Sequence, residues 1–358
     1  MSRYLLIDIG AGTMDLLFYD DASDTSYKAV TRSPVRHLAQ KTSRTPGDLV
    51  VTGNEMGGGA ISKLLCQRAR KNEVVMSASA AATIHHNPEK VRAAGITIAG
   101  QEKISDLQAE KGYHHLTLRD LDVDRLEHIF SGWGIPFAFD IIGVCAQDHG
   151  VPPDGVSHLD YRHILLRDAL SPTPFADALL YAQRDIPDSL NRLRCIAKDA
   201  AGLPGTEIYV MDSGMAAILG ATHDPLALTK EKLLVLDIAT SHTVGAAVWK
   251  GELCGFFEYH TRDITLERLE SLVIDLAEGN LNHKDILAQG GHGAYMRKAF
   301  GFQAADIIIA TGPKRRLLKD SRLPIFFGAP LGDNMMTGTV GLLAAIRKRK
   351  GLAVIEHL

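Results

Sequence analysis

The sequence predicts an α/β protein of two similar lobes with a cleft between them. Three observations carry this. The chain has 358 residues, more than the roughly 250–300 at which a single hydrophobic core stops growing. A meander of three short strands occurs twice, over residues 3–31 and again over 233–259. Each copy opens with a buried strand that carries an aspartate near its end and runs into a turn of small residues.

The elements follow in order. Residues 3–9 read as a buried strand, Gly10-Ala11-Gly12 as a turn, 14–19 as a second strand and 27–31 as a third. Apolar runs joined by a short glycine-bearing turn make a hairpin. Leu49 to Thr52 is a strand, leading through Gly53–Gly59 to a helix over 60–70. Residues 73–84 are alanine-rich, and 88–130 read as helices and loops. Phe139 to Val144 is a strand. Four prolines in 151–175 predict an irregular segment, and 176–200 read as helical. Glu207 to Met211 is a strand, after which Asp212-Ser213 caps a small-residue helix over 214–221.

The pattern then restarts. Strands are expected at 233–238, 244–249 and 253–259, with turns at 239–243 and 250–251. Leu266, Leu269, Leu272, Val273 and Leu276 recur at helical spacing, with Gly279 as a stop. Ile307 to Ala310 is a strand running into Thr311-Gly312-Pro313, and a last helix covers 334–347. Lobe I is therefore expected over 1–225 plus 334–358, and lobe II over 230–333.

Hydrophobic residues make up 46% and charged residues 23%, with a net charge of −3. This is the balance of an ordinary soluble protein, without the basic stripe that a nucleic-acid partner requires. No apolar run approaches a membrane span, and Met1 to Tyr4 leads straight into a strand, so a cytoplasmic protein is expected. Cys66, Cys145, Cys195 and Cys254 are widely scattered, without a CxxC pair, and are expected as reduced, mostly buried thiols.

The first turn reads Asp8-Ile9-Gly10-Ala11-Gly12-Thr13-Met14-Asp15. Two glycines at a hairpin tip expose backbone N–H groups and let a phosphate approach without a Cβ clash. Thr13 can donate its hydroxyl to a phosphate oxygen. Asp8 can hold a hydrated Mg²⁺, which keeps several waters and takes one or two carboxylates. An ordinary hairpin with a solvated aspartate also fits this turn alone. The second turn, Asp237-Ile238-Ala239-Thr240-Ser241-His242-Thr243, repeats the layout. Two such hairpins facing across a cleft could hold a triphosphate.

The ordered set of motifs resembles the actin/Hsp70/sugar-kinase superfamily of ATPases, whose fold is two RNase H-like lobes around a nucleotide cleft. Residues 8–15 look like its first phosphate motif, and equally like the second phosphate motif of cell-division and filament-forming members. Residues 233–249 look like the second phosphate motif, 212–217 and 334–347 like the two connecting helices, and 307–313 like the adenosine motif. Residues 142–150 resemble a strand and turn of carbohydrate kinases. The pattern is also similar to a family labelled as pyruvate formate-lyase activating. That label implies a three-cysteine radical cluster, for which this sequence has no spacing.

The resemblance implies ATP and Mg²⁺ as cofactors. Asp8 and Asp237 would hold the metal. Gly10, Gly12, Thr13 and Asp15 would form one phosphate wall, and Thr240, Ser241 and Thr243 the other. Gly312 would admit the adenosine, and Asp212 would orient the attacking water or hydroxyl. Asp237 and Gln147 complete the expected catalytic set, with a nucleotide and a small molecule as partners. A Mg²⁺-dependent ATPase or small-molecule phosphotransferase is the first reading. A non-catalytic sensor or scaffold is the alternative, since Ala239, Thr240 and Ser241 stand where glycines are usual, and a partner-activating or filament-forming ATPase is a further one, for which the sequence shows no assembly feature.

Other segments have two readings each. Gly53–Gly59 lacks a P-loop ending and is a tight turn or an anion contact. Gln147-Asp148-His149 follows a strand, where functional side chains gather. Gly290-Gly291-His292-Gly293 is a loop or a hinge. The pairs His85-His86 and His114-His115 have no third ligand at sensible spacing. Lys314-Arg315-Arg316 is a solvated helix start or a phosphate contact.

Overall fold

The computed structural model describes residues 2–355. Its strands are β1 (Arg3–Ile9), β2 (Thr13–Asp20), β3 (Thr25–Arg32), β4 (Asp48–Gly53), β5 (Val74–Ser77), β6 (Thr97–Ala99), β7 (Tyr113–Leu118), β8 (Ile141–Ala146), β9 (Leu180–Ala182), β10 (Glu207–Asp212), β11 (Lys232–Ile238), β12 (His242–Trp249), β13 (Glu252–His260), β14 (Gly293–Met296), β15 (Ile307–Thr311) and β16 (Ile325–Phe327).

They form three sheets. One has the order β3-β2-β1-β8-β10-β9, and a second the order β14-β13-β12-β11-β15-β16. In each, an antiparallel meander is extended from its first strand by parallel partners, β8 and β10 in one and β15 and β16 in the other. That order is the RNase H-like topology, present twice, so the protein has the two-lobed architecture of actin-like ATPases. The third sheet, β6-β5-β4-β7, is wholly parallel and inserted between β3 and β8 of the first.

Alternation along the strands sorts side chains between two layers. Tyr4 and Leu6 of β1, with Leu233 and Val235 of β11, face one shared interior core. Leu5, Ile7 and Ile9 face the outer core of the first lobe, and Leu234, Leu236 and Ile238 that of the second. The same parity aligns Asp8 with Tyr4 and Leu6, and Asp237 with Leu233 and Val235. Both aspartates thus lie on the interlobe side at the ends of their strands.

Two helices fill the space between the lobes. Helix Ser213–Thr222 packs on β11, and helix Thr337–Arg349 on β1 and β8. They cross backbone to backbone. A Cβ on Gly220 would lie 1.8 Å from the Thr337 carbonyl oxygen, and one on Gly341 1.8 Å from that of Ala216.

Three segments differ from the sequence reading. Residues 88–130 contain β6 and β7, which the mixed polarity hid: β7 has exposed His114, His115 and Thr117 alternating with buried Leu116 and Leu118. The prolines near 151–175 flank a helix, His158–Leu170, capped by Ser157, rather than breaking it. In 176–200 the helix is confined to Asn191–Ala200, after two 3₁₀ turns and the short strand β9.

Candidate functional site

The turns of the two lobes are built alike. Gly10 N–H donates to Thr13 O at 3.0 Å, leaving Ala11 and Gly12 at the tip, and Ala239 N–H donates to His242 O at 3.0 Å, leaving Thr240 and Ser241 there. The tips meet. A Cβ on Gly12 would stand 2.7 Å from Thr240 Cγ2. Both turns open on a cleft of about 660 Å³, within the usual range of small-molecule sites.

Most of the residues expected at a site line this cleft: Asp8, Gly10, Gly12, Thr13 and Asp15 from the first lobe, with Gln147 beside them, and Asp237, Thr240, Ser241 and Gly312 from the second. Gly312 has φ +85°, and a Cβ there would meet Ile238 O at 2.6 Å and Asp237 Oδ1 at 2.8 Å. Only glycine satisfies both constraints.

Two expected residues lie behind the wall. Asp212 is 5% exposed, and its carboxylate is engaged on both oxygens. Oδ1 accepts from Met215 N–H at 3.1 Å as the helix cap, and Oδ2 accepts from Arg162 at 2.8 Å. Both oxygens of Asp212 thus serve the helix cap and the Arg162 pair, and the residue is not among those lining the cleft. Thr243 is fully buried, its hydroxyl 3.0 Å from that of Thr261.

Three carboxyls crowd the floor. Burial above all pushes Asp8 up to about 6, against the hydrogen bond from Ser213 Oγ at 3.0 Å. Burial and then the charge of Asp8 push Asp15 up to about 8. Burial likewise lifts Asp237 to about 7, against the Thr311 hydroxyl that donates at 3.0 Å, with Asp8 adding to the rise. Asp15 Oδ1 is buried without a hydrogen-bond partner. Carboxylates held together with an orphaned oxygen are the donor set of a hard divalent cation.

Sequence reasoning missed the opposite wall. Arg162, fully enclosed, joins the lobes: Nη1 reaches Asp212 Oδ2 at 2.8 Å and the Asp148 carbonyl at 2.9 Å, and Nε reaches Glu258 Oε2 at 3.1 Å. Gln147 also donates to Glu258. Burial would raise the Glu258 carboxyl, but Arg162 and the neighbouring imidazoles outweigh it and hold it at about 2. Burial, then Arg162, lowers His149 to about 3, so its ring is neutral. His242, His260 and His292 gather beside Glu258, with ring centroids 4.3–4.9 Å apart. The spacing of the strand ends was the available signal for His260, and it was obscured by a bulge between Ala247 and Val248.

The other segments divide. Gly57, Gly58 and Gly59 line the cleft, as do Pro313, His85, and His86, which pairs with Glu55 at 2.9 Å. His115 instead meets the Thr52 hydroxyl at 2.8 Å on the inserted sheet, and Arg315 donates to the Gly328 carbonyl.

Residues 56–317 match the family model described as "Putative pyruvate format-lyase activating enzyme (DUF1786)". The chain belongs to this family. In this DUF1786 member the four cysteines sit on separate elements: Cys66 in helix Gly59–Arg68, Cys145 in β8, Cys195 in helix Asn191–Ala200 and Cys254 in β13. No curated protein matches it. Among solved structures it is similar to the ethanolamine utilization protein EutJ from Carboxydothermus hydrogenoformans, at 11% identity over 95% of this chain and 88% of that one, with TM-score 0.34. It is similar to MreB5 of Spiroplasma citri bound to ADP, at 12% identity over 98% and all but a fraction of that chain (TM-score 0.35). The ROK hexokinase of Thermus thermophilus gives 14% identity over 98% and 99%, with TM-score 0.31. These scores are low, and the fold assignment rests on the strand order above. No helix among the described residues is long and apolar enough to cross a membrane.

Proposed function

We propose that this DUF1786 protein binds ATP with Mg²⁺ in the interlobe cleft and uses it as an ATPase or small-molecule phosphotransferase. One observation carries the reading. Two equivalent hairpin turns, one from each copy of the duplicated sheet, meet over the clustered carboxyls of Asp8, Asp15 and Asp237, which form no ion pair with a Lys, Arg or His among the described residues.

The residues fit the ligands. Asp8, Asp15 and Asp237 would hold Mg²⁺, directly or through water, and the orphaned Asp15 Oδ1 supplies a free ligand atom. The bound metal would neutralise phosphate charge, which is the main demand of phosphoryl transfer. The turn amides and the hydroxyls of Thr13, Thr240 and Ser241 would donate to phosphate oxygens. Gly312, which lines the cleft at the end of β15, would border the adenosine. Gln147, held by Glu258, and the neutral His149 stand where an acceptor molecule would lie.

A second reading, binding without turnover, is favoured by the engagement of Asp212 with Met215 and Arg162. Calorimetric titration of Mg²⁺·ATP into wild type and Asp8→Asn tests both. Saturable binding lost in the variant is the expected result, and phosphate release separates enzyme from sensor. Absence of binding in folded wild type would overturn the proposal.

A further inference from the structure

Beyond the nucleotide reading, and independent of it, we propose a second metal site: His242, His260 and His292 form a three-imidazole seat for a first-row transition ion of the Zn²⁺ type, open to the cleft.

One ring nitrogen from each histidine lies within 4.8 Å of the others. Closing each by less than about 1 Å gives the ~2.0–2.1 Å of a Zn–N bond, a shift within the reach of side-chain torsions. His242 Nε2 and His292 Nδ1 are buried with no hydrogen-bond partner. His292 is only 8% exposed. Buried polar atoms are nearly always paired, and two orphans in one cluster point to a missing ligand.

The backbone is arranged to bring the rings together. Counted back from the Lys250-Gly251 turn, Trp249 pairs with Glu252 and Val248 with Leu253, a register that would set Tyr259 opposite His242. The bulge between Ala247 and Val248 shifts the pairing by one and puts His260 there instead. Bulges serve to re-aim side chains at sites. Thr261 then ties the strand end to the turn, its N–H donating to Ser241 O at 2.8 Å and its hydroxyl to Ala239 O at 2.8 Å. His292 N–H donates to Glu258 O at 2.7 Å, fixing the third ligand.

Three imidazoles without a carboxylate suit Zn²⁺, Fe²⁺, Co²⁺ or Ni²⁺ and not Mg²⁺. Glu258, with Oε1 3.9 Å from His292 Nδ1, is the nearby outer carboxylate, and it shares Arg162 with Asp212, so that trio carries one excess negative charge. That excess offsets one of a divalent ion's two charges and leaves about one positive charge, and the coordination left open faces the cleft that His242, His260 and His292 line. An anionic oxygen, from a carboxylate or phosphate of the substrate, is the chemical class that completes it.

The test uses the full chain, stripped with a chelator and titrated with Zn²⁺ in the presence of millimolar Mg²⁺. One Zn²⁺ per chain is expected, with affinity lowered at least 100-fold in His260→Ala and unchanged in Asp8→Asn. Replacement by Co²⁺ in wild type should give the intense visible bands of a four- or five-coordinate nitrogen site, a readout that needs no variant to fold. No stoichiometric Zn²⁺ in wild type, equal affinity in His260→Ala, or a weak octahedral Co²⁺ spectrum would each overturn the site and leave a packed histidine cluster.

Discussion

The two hairpin turns occupy equivalent places in a duplicated sheet, yet they have diverged in chemistry. Both begin two residues after an aspartate, Asp8 or Asp237, on the interlobe face. In the first lobe Asp8 pairs across the hairpin with Asp15, and Thr13 with Arg32 of β3. In the second, the same positions hold Val244 opposite Asp237 and His260 opposite His242. One turn is thus a cluster of oxygen donors and the other borders a cluster of nitrogen donors. The difference teaches that duplication conserved the backbone and the first aspartate, while the cross-strand partners were free to specialise.

The largest effect should come from the group that joins the lobes. Arg162→Met leaves Asp212 and Glu258 buried without their cation, and loss of one partner of such a group costs about 3–5 kcal/mol. Urea denaturation of the variant should show it. A Glu258→Gln/Arg162→Met double variant should recover part of the loss, and equal stability of all three proteins would break the comparison. Next is the contact between the tips. Gly12→Ala drives a methyl into Thr240 and should weaken Mg²⁺·ATP binding by tens of fold, whereas Ser241→Ala at the equivalent place should cost about threefold, the worth of one hydrogen bond of ~0.5–1.5 kcal/mol. Titration of both proteins compares the turns directly, and Thr240→Gly should recover part of the loss in Gly12→Ala by relieving the clash, short of wild type because the Thr240 hydroxyl is gone.

A smaller effect with opposite signs is expected for Asp15→Asn. Removing a buried carboxylate should raise metal-free stability by about 1–2 kcal/mol while abolishing the stabilisation that Mg²⁺·ATP gives, both read by melting with and without ligand. The mildest is a slope with pH. Asp8, Asp15 and Asp237 have folded values raised to about 6, 8 and 7 from 3.8. The folded state therefore binds protons more tightly than the unfolded chain. Stability of the metal-free protein is full below about pH 4 on this account, and is lost progressively as pH rises to about 8. A carboxylate of the opposite kind, such as Glu258 held at about 2 against 4.5, gives a rise instead, between about pH 2 and 4.5. Saturating Mg²⁺·ATP should flatten the slope.

Much of this was legible in the sequence because it is local. The apolar runs Leu5-Leu6-Ile7 and Leu234-Val235-Leu236 gave the buried strands and the aspartates at their ends, while the facing of those aspartates came from the two layers of core. Gly10-Ala11-Gly12 gave the first turn, the expected turn over 239–243 ran two residues too far because β12 starts at His242, and Gly279 gave the helix stop, confirmed by its φ of +82°. Long-range geometry was hidden. Arg162 lies 50 residues before Asp212 and 96 before Glu258, so no spacing rule links them. His260 needed a bulge to reach His242. β7 was obscured because only one of its faces is buried.

The crossing of Gly220 and Gly341 has a mechanical consequence. With carbonyl oxygens where side chains would stand, neither helix can slide along the other without its backbone climbing over a peptide group. Tilting about the contact point needs no such climb. The crossing point is therefore fixed along both helices, and with it the depth at which the two sheets are held on either side of them.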